Sequence, residues 1–209
     1  MAKYTLKQRA VQQEETHKRI VEAIVDLHKT IGPVRTTISA IAERAGVERL
    51  TVYRHFPNDI ELFRACSDHW RAANPLPDLA VWRAIEDPIE RLRRALTEVY
   101  AYYERTAPML GNVLRDAELL PVLANQLAGY RQFVRTAQSL LVEEWDLPEQ
   151  CSDVVRAAVG LALSFETWRS LTVQQELTRY QASELMSALV RAAATPDDPD
   201  ETCSSPTFD

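Results

Sequence analysis

Apolar residues recur three and four positions apart along most of this chain, the spacing of helices that each bury one face. Ile20, Ala23, Ile24 and Leu27 form one such stripe over 16–31, which Gly32-Pro33 ends. Ile38, Ile41, Ala42 and Ala45 form the next, and Thr37 stands before them as an N-cap. Gly46 follows directly, where a residue without Cβ can take the left-handed turn that closes a helix. Val47 returns inward, and a short helix over about 48–55 is closed by Phe56 and Pro57.

The later chain carries the same signals. Asn58 caps a helix over 59–71 with Leu62, Phe63 and Ala65 inward, and Asn74-Pro75-Leu76-Pro77 marks a boundary. Asp87-Pro88 reads as the N-cap and first position of a helix to about 105. Pro108 then opens a short helix to about 115, and a long one is expected over 118–145, with Pro121 near its start. Helices over 149–171 and 178–194 follow, the second opened by a Thr178/Gln181 capping box and ended at Thr195-Pro196. No run alternates convincingly between apolar and polar, and five glycines serve 209 residues, so the fold class is all-α.

Two helices joined across Gly46 make a helix-turn-helix, whose second member can enter the major groove of DNA. Arg49, Thr51, Tyr53, Arg54 and His55 are its donors toward phosphates and base edges. The bare pattern also occurs in helical proteins that never touch DNA. Charge distribution sharpens the choice. The whole chain carries −6, but residues 1–57 carry +4 and the remainder −10, a basic head on an acidic body. Residues 1–15 read as a loose arm or a frayed extension of the first helix, and the acidic stretch from 196 as a disordered tail.

From Arg19 to Phe63 the chain resembles the TetR family of transcriptional regulators. The resemblance is carried by Ile20, Ala23, Leu27, Gly32, Thr36, Ile41-Ala42, Ala45-Gly46-Val47, Val52-Tyr53, His55-Phe56 and Leu62-Phe63. It implies a three-helix DNA-binding domain over 16–63 and a larger helical domain over 64–195 for ligand binding and dimerisation. It further implies a regulator, most often a repressor, that binds a palindromic operator in double-stranded DNA as a homodimer and is released by a small-molecule effector. In that setting Thr36, Tyr53 and His55 hold phosphates, while Arg49, Leu50 and Thr51 face the bases; Arg54 is a further DNA contact on the same helix. Three residues depart from the family pattern. Glu48 replaces a small hydroxyl cap and repels phosphate, and Asp59 replaces a lysine. Leu50 replaces a small residue, so that it either touches a thymine methyl or holds the helix off the bases.

The segment 154–165 is rich in Ala and Val, and Leu185, Leu189 and Val190 stripe the last helix, so these two helices are expected to pair with their copies in a second subunit. Burial within one chain is the alternative. Under the resemblance, Tyr103, Met109, Val113, Tyr130, Phe133 and Trp168 are candidates for the wall of an effector cavity, with Asn112, Arg115 and Glu166 as polar contacts. Such a wall favours an aromatic or otherwise apolar ligand.

Catalysis is not expected: the chain has no Gly-rich phosphate loop, HExxH, GxSxG or CxxC. Asp116 and Glu118 read as solvated carboxylates, and Cys66 with His69 as structural or surface groups, so no metal or cofactor is implied. Three scattered cysteines do not make a disulfide framework. With no long apolar run and a polar start, no membrane association and a cytoplasmic location are expected. A DNA-silent helical interaction protein is the competing class, and a small-molecule enzyme the more distant one.

Overall fold

The computed structural model describes residues 2–143, 145 and 149–194, and among them there are helices and no strand. The expected tail from 196 lies outside the described residues. The chain divides into two compact units, 1–75 with 106–128, and 76–105 with 129–209. This differs from a boundary drawn after residue 63, because the first unit takes in α4 and then takes back a later segment.

The first unit begins with α1 (Ala2–Thr30), so residues 2–15 continue the helix rather than forming a loose arm. A 3-10 turn (Pro33–Arg35) leads to α2 (Ile38–Ala45), α3 (Arg49–His55) and α4 (Asp59–Ala73). The caps fall where the side chains predict them: Thr37 Oγ1 accepts from Ala40 N at 3.1 Å and Asn58 Oδ1 from Glu61 N at 2.9 Å. Ile20, Ile24, Ile41, Val52, Phe56 and Leu62 form the core of this unit. The later segment holds the end of α6 and α7 (Pro121–Gln126), which packs on α4.

The second unit holds α5 (Leu79–Arg83) and the start of α6 (Pro88–Asp116), then α8 (Ala128–Val142), which enters this unit at Gly129. It closes with α9 (Glu149–Ala162), α10 (Phe165–Arg169), a π-helical turn over Ser170–Gln174, and α11 (Arg179–Ala194). Thr178 and Gln181 make the reciprocal capping bonds, Thr178 N to Gln181 Oε1 at 3.0 Å and Gln181 N to Thr178 Oγ1 at 3.3 Å.

Three expected boundaries are corrected. Pro108 does not open a new helix but lies inside α6. Both Pro108 and Glu104, whose carbonyl loses its partner, are solvent-exposed, so water can replace the missing bond. The helix expected over 118–145 is two, because Leu120 takes an extended conformation before Pro121 and a turn at Leu127 separates α7 from α8. The helix expected over 149–171 breaks after Ala162. Ser164 leaves the helical region, and its hydroxyl caps α10 by accepting from Glu166 N at 3.2 Å. The carbonyls freed at this corner are not left bare: Tyr100 donates to Ala162 O at 3.0 Å and Tyr103 to Leu163 O at 2.6 Å.

Candidate nucleic-acid interface

Gly46 takes φ 63° and ψ 43°, and its N–H returns to the end of α2. With no Cβ to oppose that conformation, the chain reverses in one residue and Val47 packs back on the core. The start of α3 is less well closed. Glu48 is its N-cap in an extended conformation, and the side chain makes no capping bond, as expected for a carboxylate in place of a hydroxyl.

Val52 and Phe56 bury the inner side of α3, which leaves Arg49, Leu50, Tyr53 and Arg54 exposed and Thr51 and His55 half-buried. Six of the seven candidate DNA-contacting residues thus sit together on one short helix. The seventh, Thr36, is positioned differently: its hydroxyl donates to Gly32 O at 2.8 Å and its N–H to Pro33 O at 3.1 Å. Both its hydrogens are therefore used within the turn, and only the hydroxyl lone pairs remain free, which do not favour a phosphate.

His55 is held below the ordinary histidine value, first by burial and then by His17 and the Arg54 charge. The His17 ring centroid lies 5.9 Å from that of His55 and 4.9 Å from that of Phe56. His17 also lines an open cavity of about 590 Å³ between α1 and α4, with Val11, Val21, Ala65, Asp68 and His69. Neither His17 nor this cavity was signalled by the sequence, because the residues come from helices about 50 positions apart.

The first unit holds four of the nine effector candidates, and each has a structural task there. Met109 belongs to the core, and Val113 packs against it. Asn112 Nδ2 donates at 2.9 Å to the carbonyls of both His28 and Lys29, closing the open end of α1. Arg115 binds Asn112 Oδ1 at 2.9 Å and Asp116 Oδ1 at 2.7 Å. Asp116, expected to be solvated, is only 2 % exposed and accepts Val34 N at 2.9 Å. Burial alone would raise its pKa, but the Arg115 bond, the Val34 bond and the charges of Arg115 and Arg35 together hold it below the usual carboxylate value.

The other five lie in the second unit. Tyr103, Phe133 and Trp168 are buried, Tyr130 is partly buried and Glu166 is exposed and paired with Arg169. Tyr103 gives its one proton to Leu163 O, so Tyr130, 3.0 Å away, must donate to Tyr103. Burial first, and then Tyr130, push the Tyr103 hydroxyl far above its ordinary value, and burial pushes Tyr130 to about 12. Trp168 packs against Tyr103 and Phe165, and its buried Nε1–H finds no partner among the described residues.

Cys66 pairs not with His69 but with a residue the sequence did not single out. Its sulfur lies 3.4 Å from Nδ1 of His28, which is 2 % exposed and stacked on Phe63. Among the described residues no three His, Cys, Asp or Glu side chains gather as a metal site, and no helix is long and apolar enough to cross a membrane.

The helix-turn-helix geometry coincides with what the known proteins share. Residues 20–66 match the family described as bacterial regulatory proteins, tetR family. The head is a TetR-family domain. Among curated proteins, the HTH-type transcriptional regulator TtgR of Pseudomonas putida is 34 % identical over 94 residues, 42 % of this chain and 42 % of its own. SrpR of Pseudomonas putida is 34 % identical over 80 residues, 37 % of this chain and 38 % of its own. The chain thus spans about two-fifths of the length of the curated relatives it matches. The TetR-type fold extends further. A TetR-like regulator from Rhodococcus sp. RHA1 superposes with a TM-score of 0.63 at 20 % identity, over 85 % of this chain and 94 % of its own. A tetR-family regulator from Streptomyces coelicolor gives 0.55 at 20 % identity, over 88 % and 91 %.

Proposed function

We propose that this protein is a ligand-responsive transcriptional regulator, acting as a repressor, that binds a palindromic operator as a homodimer. The observation that carries the reading is the Gly46 turn, which presents the exposed side chains of α3 from a buried Val52–Phe56 base. Arg49, Leu50 and Thr51 face the bases. Tyr53, Arg54 and His55 hold the backbone, and Thr36 acts by stiffening the turn before α2 rather than by donating to phosphate.

A two-fold partner is needed to place two such helices roughly 34–36 Å apart, one turn of the duplex. The surface that supports it is on α9 and α11, which lie against one another. Val154, Ala157 and Leu161 form an exposed stripe on α9, and Leu185, Ala188, Leu189 and Ala192 form one on α11. Each stripe repeats over about seven residues, the pattern of a four-helix contact between copies.

For the effector, the reading keeps Tyr103, Tyr130, Phe133 and Trp168. An aromatic or otherwise apolar molecule with one acceptor suits them, because the buried Trp168 N–H is unpaired among the described residues. Effector binding favours a dimer whose heads no longer match successive grooves, so operator and effector must weaken one another by the same factor.

Selection of bound DNA from a random pool, at stated salt, tests the whole reading. A palindrome of two half-sites about one helical turn apart is expected. Recovery of no preferred sequence would favour a DNA-silent interaction protein.

A further inference from the structure

Leu50 is 69 % exposed, although it sits among residues that otherwise offer hydrogen bonds. Val52, fully buried, fixes the inner side of α3. With about 100° between successive helical residues, Leu50 lies about 160° around the helix from Val52, and Arg54 lies equally far round the other way. These two, one turn apart, form the outermost ridge, with Tyr53 and Thr51 on its shoulders.

An apolar side chain on such a ridge gains free energy only where something apolar meets it. In the major groove that feature is the C5 methyl of thymine, since every other readable group on the base edges donates or accepts a hydrogen bond. Leucine has no atom to satisfy those groups. The carboxylate of Glu48, exposed and unused as a cap, repels phosphate at this end of α3, so the ridge near Leu50 meets bases rather than backbone.

We infer that Leu50 is a specificity-determining residue that reads a pyrimidine 5-methyl group once in each half-site. The inference rests on the reading of the head as a DNA-binding domain. It assigns to Leu50 a preference for thymine over uracil, and for 5-methylcytosine over cytosine at the same position.

The test uses the full chain and the operator recovered from the random pool, remade with deoxyuridine in place of each thymine in turn. This removes one methyl and leaves base pairing intact. One symmetric thymine position is expected to weaken wild-type binding about fourfold per half-site, the worth of one buried methyl group. Leu50→Ala should lose that sensitivity, while Leu50→Met retains it. Because the side chain is exposed, both variants should melt with the wild type.

If uracil is tolerated at every position, no methyl is read. If Leu50→Ala binds more tightly with unchanged base preferences, the leucine is a spacer that holds α3 off the bases. Either result overturns the inference and leaves DNA binding intact, whereas a protein that selects no DNA overturns both.

Discussion

Asp116 accepts the backbone N–H of Val34 at 2.9 Å, joining the last residue of α6 to the turn that precedes the helix-turn-helix. Gly32 makes the approach possible: at φ 89° a Cβ there would run into Arg115 Nη2 and lie 2.7 Å from Asp116 Oδ2. Asp116→Ala is therefore expected to destabilise the protein by about 2 kcal/mol, the range for a hydrogen bond to a charged group. Gly32→Ala should cost at least about 1 kcal/mol from its backbone conformation alone. Urea unfolding of the two variants would measure both, and wild-type stability in Asp116→Ala would show the contact to be idle.

His28 supplies a pH dependence. Burial lowers its pKa to about 4, and the nearby Asp116 charge only partly opposes this. The unfolded chain takes up a proton near pH 6.5 while the folded one does not. Stability from this group is thus complete above pH 6.5 and declines as pH falls toward 4, by about 3 kcal/mol in all. Denaturation midpoints of wild type and His28→Gln, compared between pH 7.5 and 4.5, should converge as pH falls.

Cys66 should be chemically quiet. It is buried, and burial pushes its thiol up to about 12. Alkylation of Cys66 at pH 8, followed by mass spectrometry of the peptide that contains it, is expected to be slow in the native protein and fast in denaturant. Rapid native labelling would mean that α4 opens readily.

On the DNA side, Tyr53→Phe should weaken binding to all sequences alike by removing a backbone contact, whereas Arg49→Ala should relax preference at one base pair. Competition binding against a panel of single-base operator variants separates the two. An unchanged operator preference for Arg49→Ala would remove it from base readout.

The pairing of subunits can be tested apart from DNA. Leu161 is 59 % exposed and Leu189 51 %. Replacing both by Glu should leave the fold intact, shift sedimentation to that of a monomer and abolish tight binding to the palindrome. A mutant that still sediments as a dimer would place the interface elsewhere.

The head was legible in the sequence because its determinants are local. Thr37, Gly46, Asn58 and Phe56-Pro57 each act within a helical turn of themselves, so caps, turn and core followed directly. The body was less so, because its breaks depend on distant groups. Near Leu163 the local signal is a single serine, Ser164, which caps α10; the stop itself is tolerated because hydroxyls arrive from about 60 residues earlier. Likewise, the burial of Asp116 depends on Val34, and that of His28 on Phe63 and Cys66. Pro108 misled in the opposite sense: a local breaker was overridden because its ring faces water while Thr106, Met109 and Leu110 remain buried.

The corner after Ala162 also constrains how this sequence can drift. Tyr100 and Tyr103 are one helical turn apart, and each quenches a carbonyl that a straight helix would have quenched by itself. A descendant that lost both phenols would have to recruit other donors or restore an unbroken helix through Ser164, and the second course would re-aim Phe165 and Trp168 together.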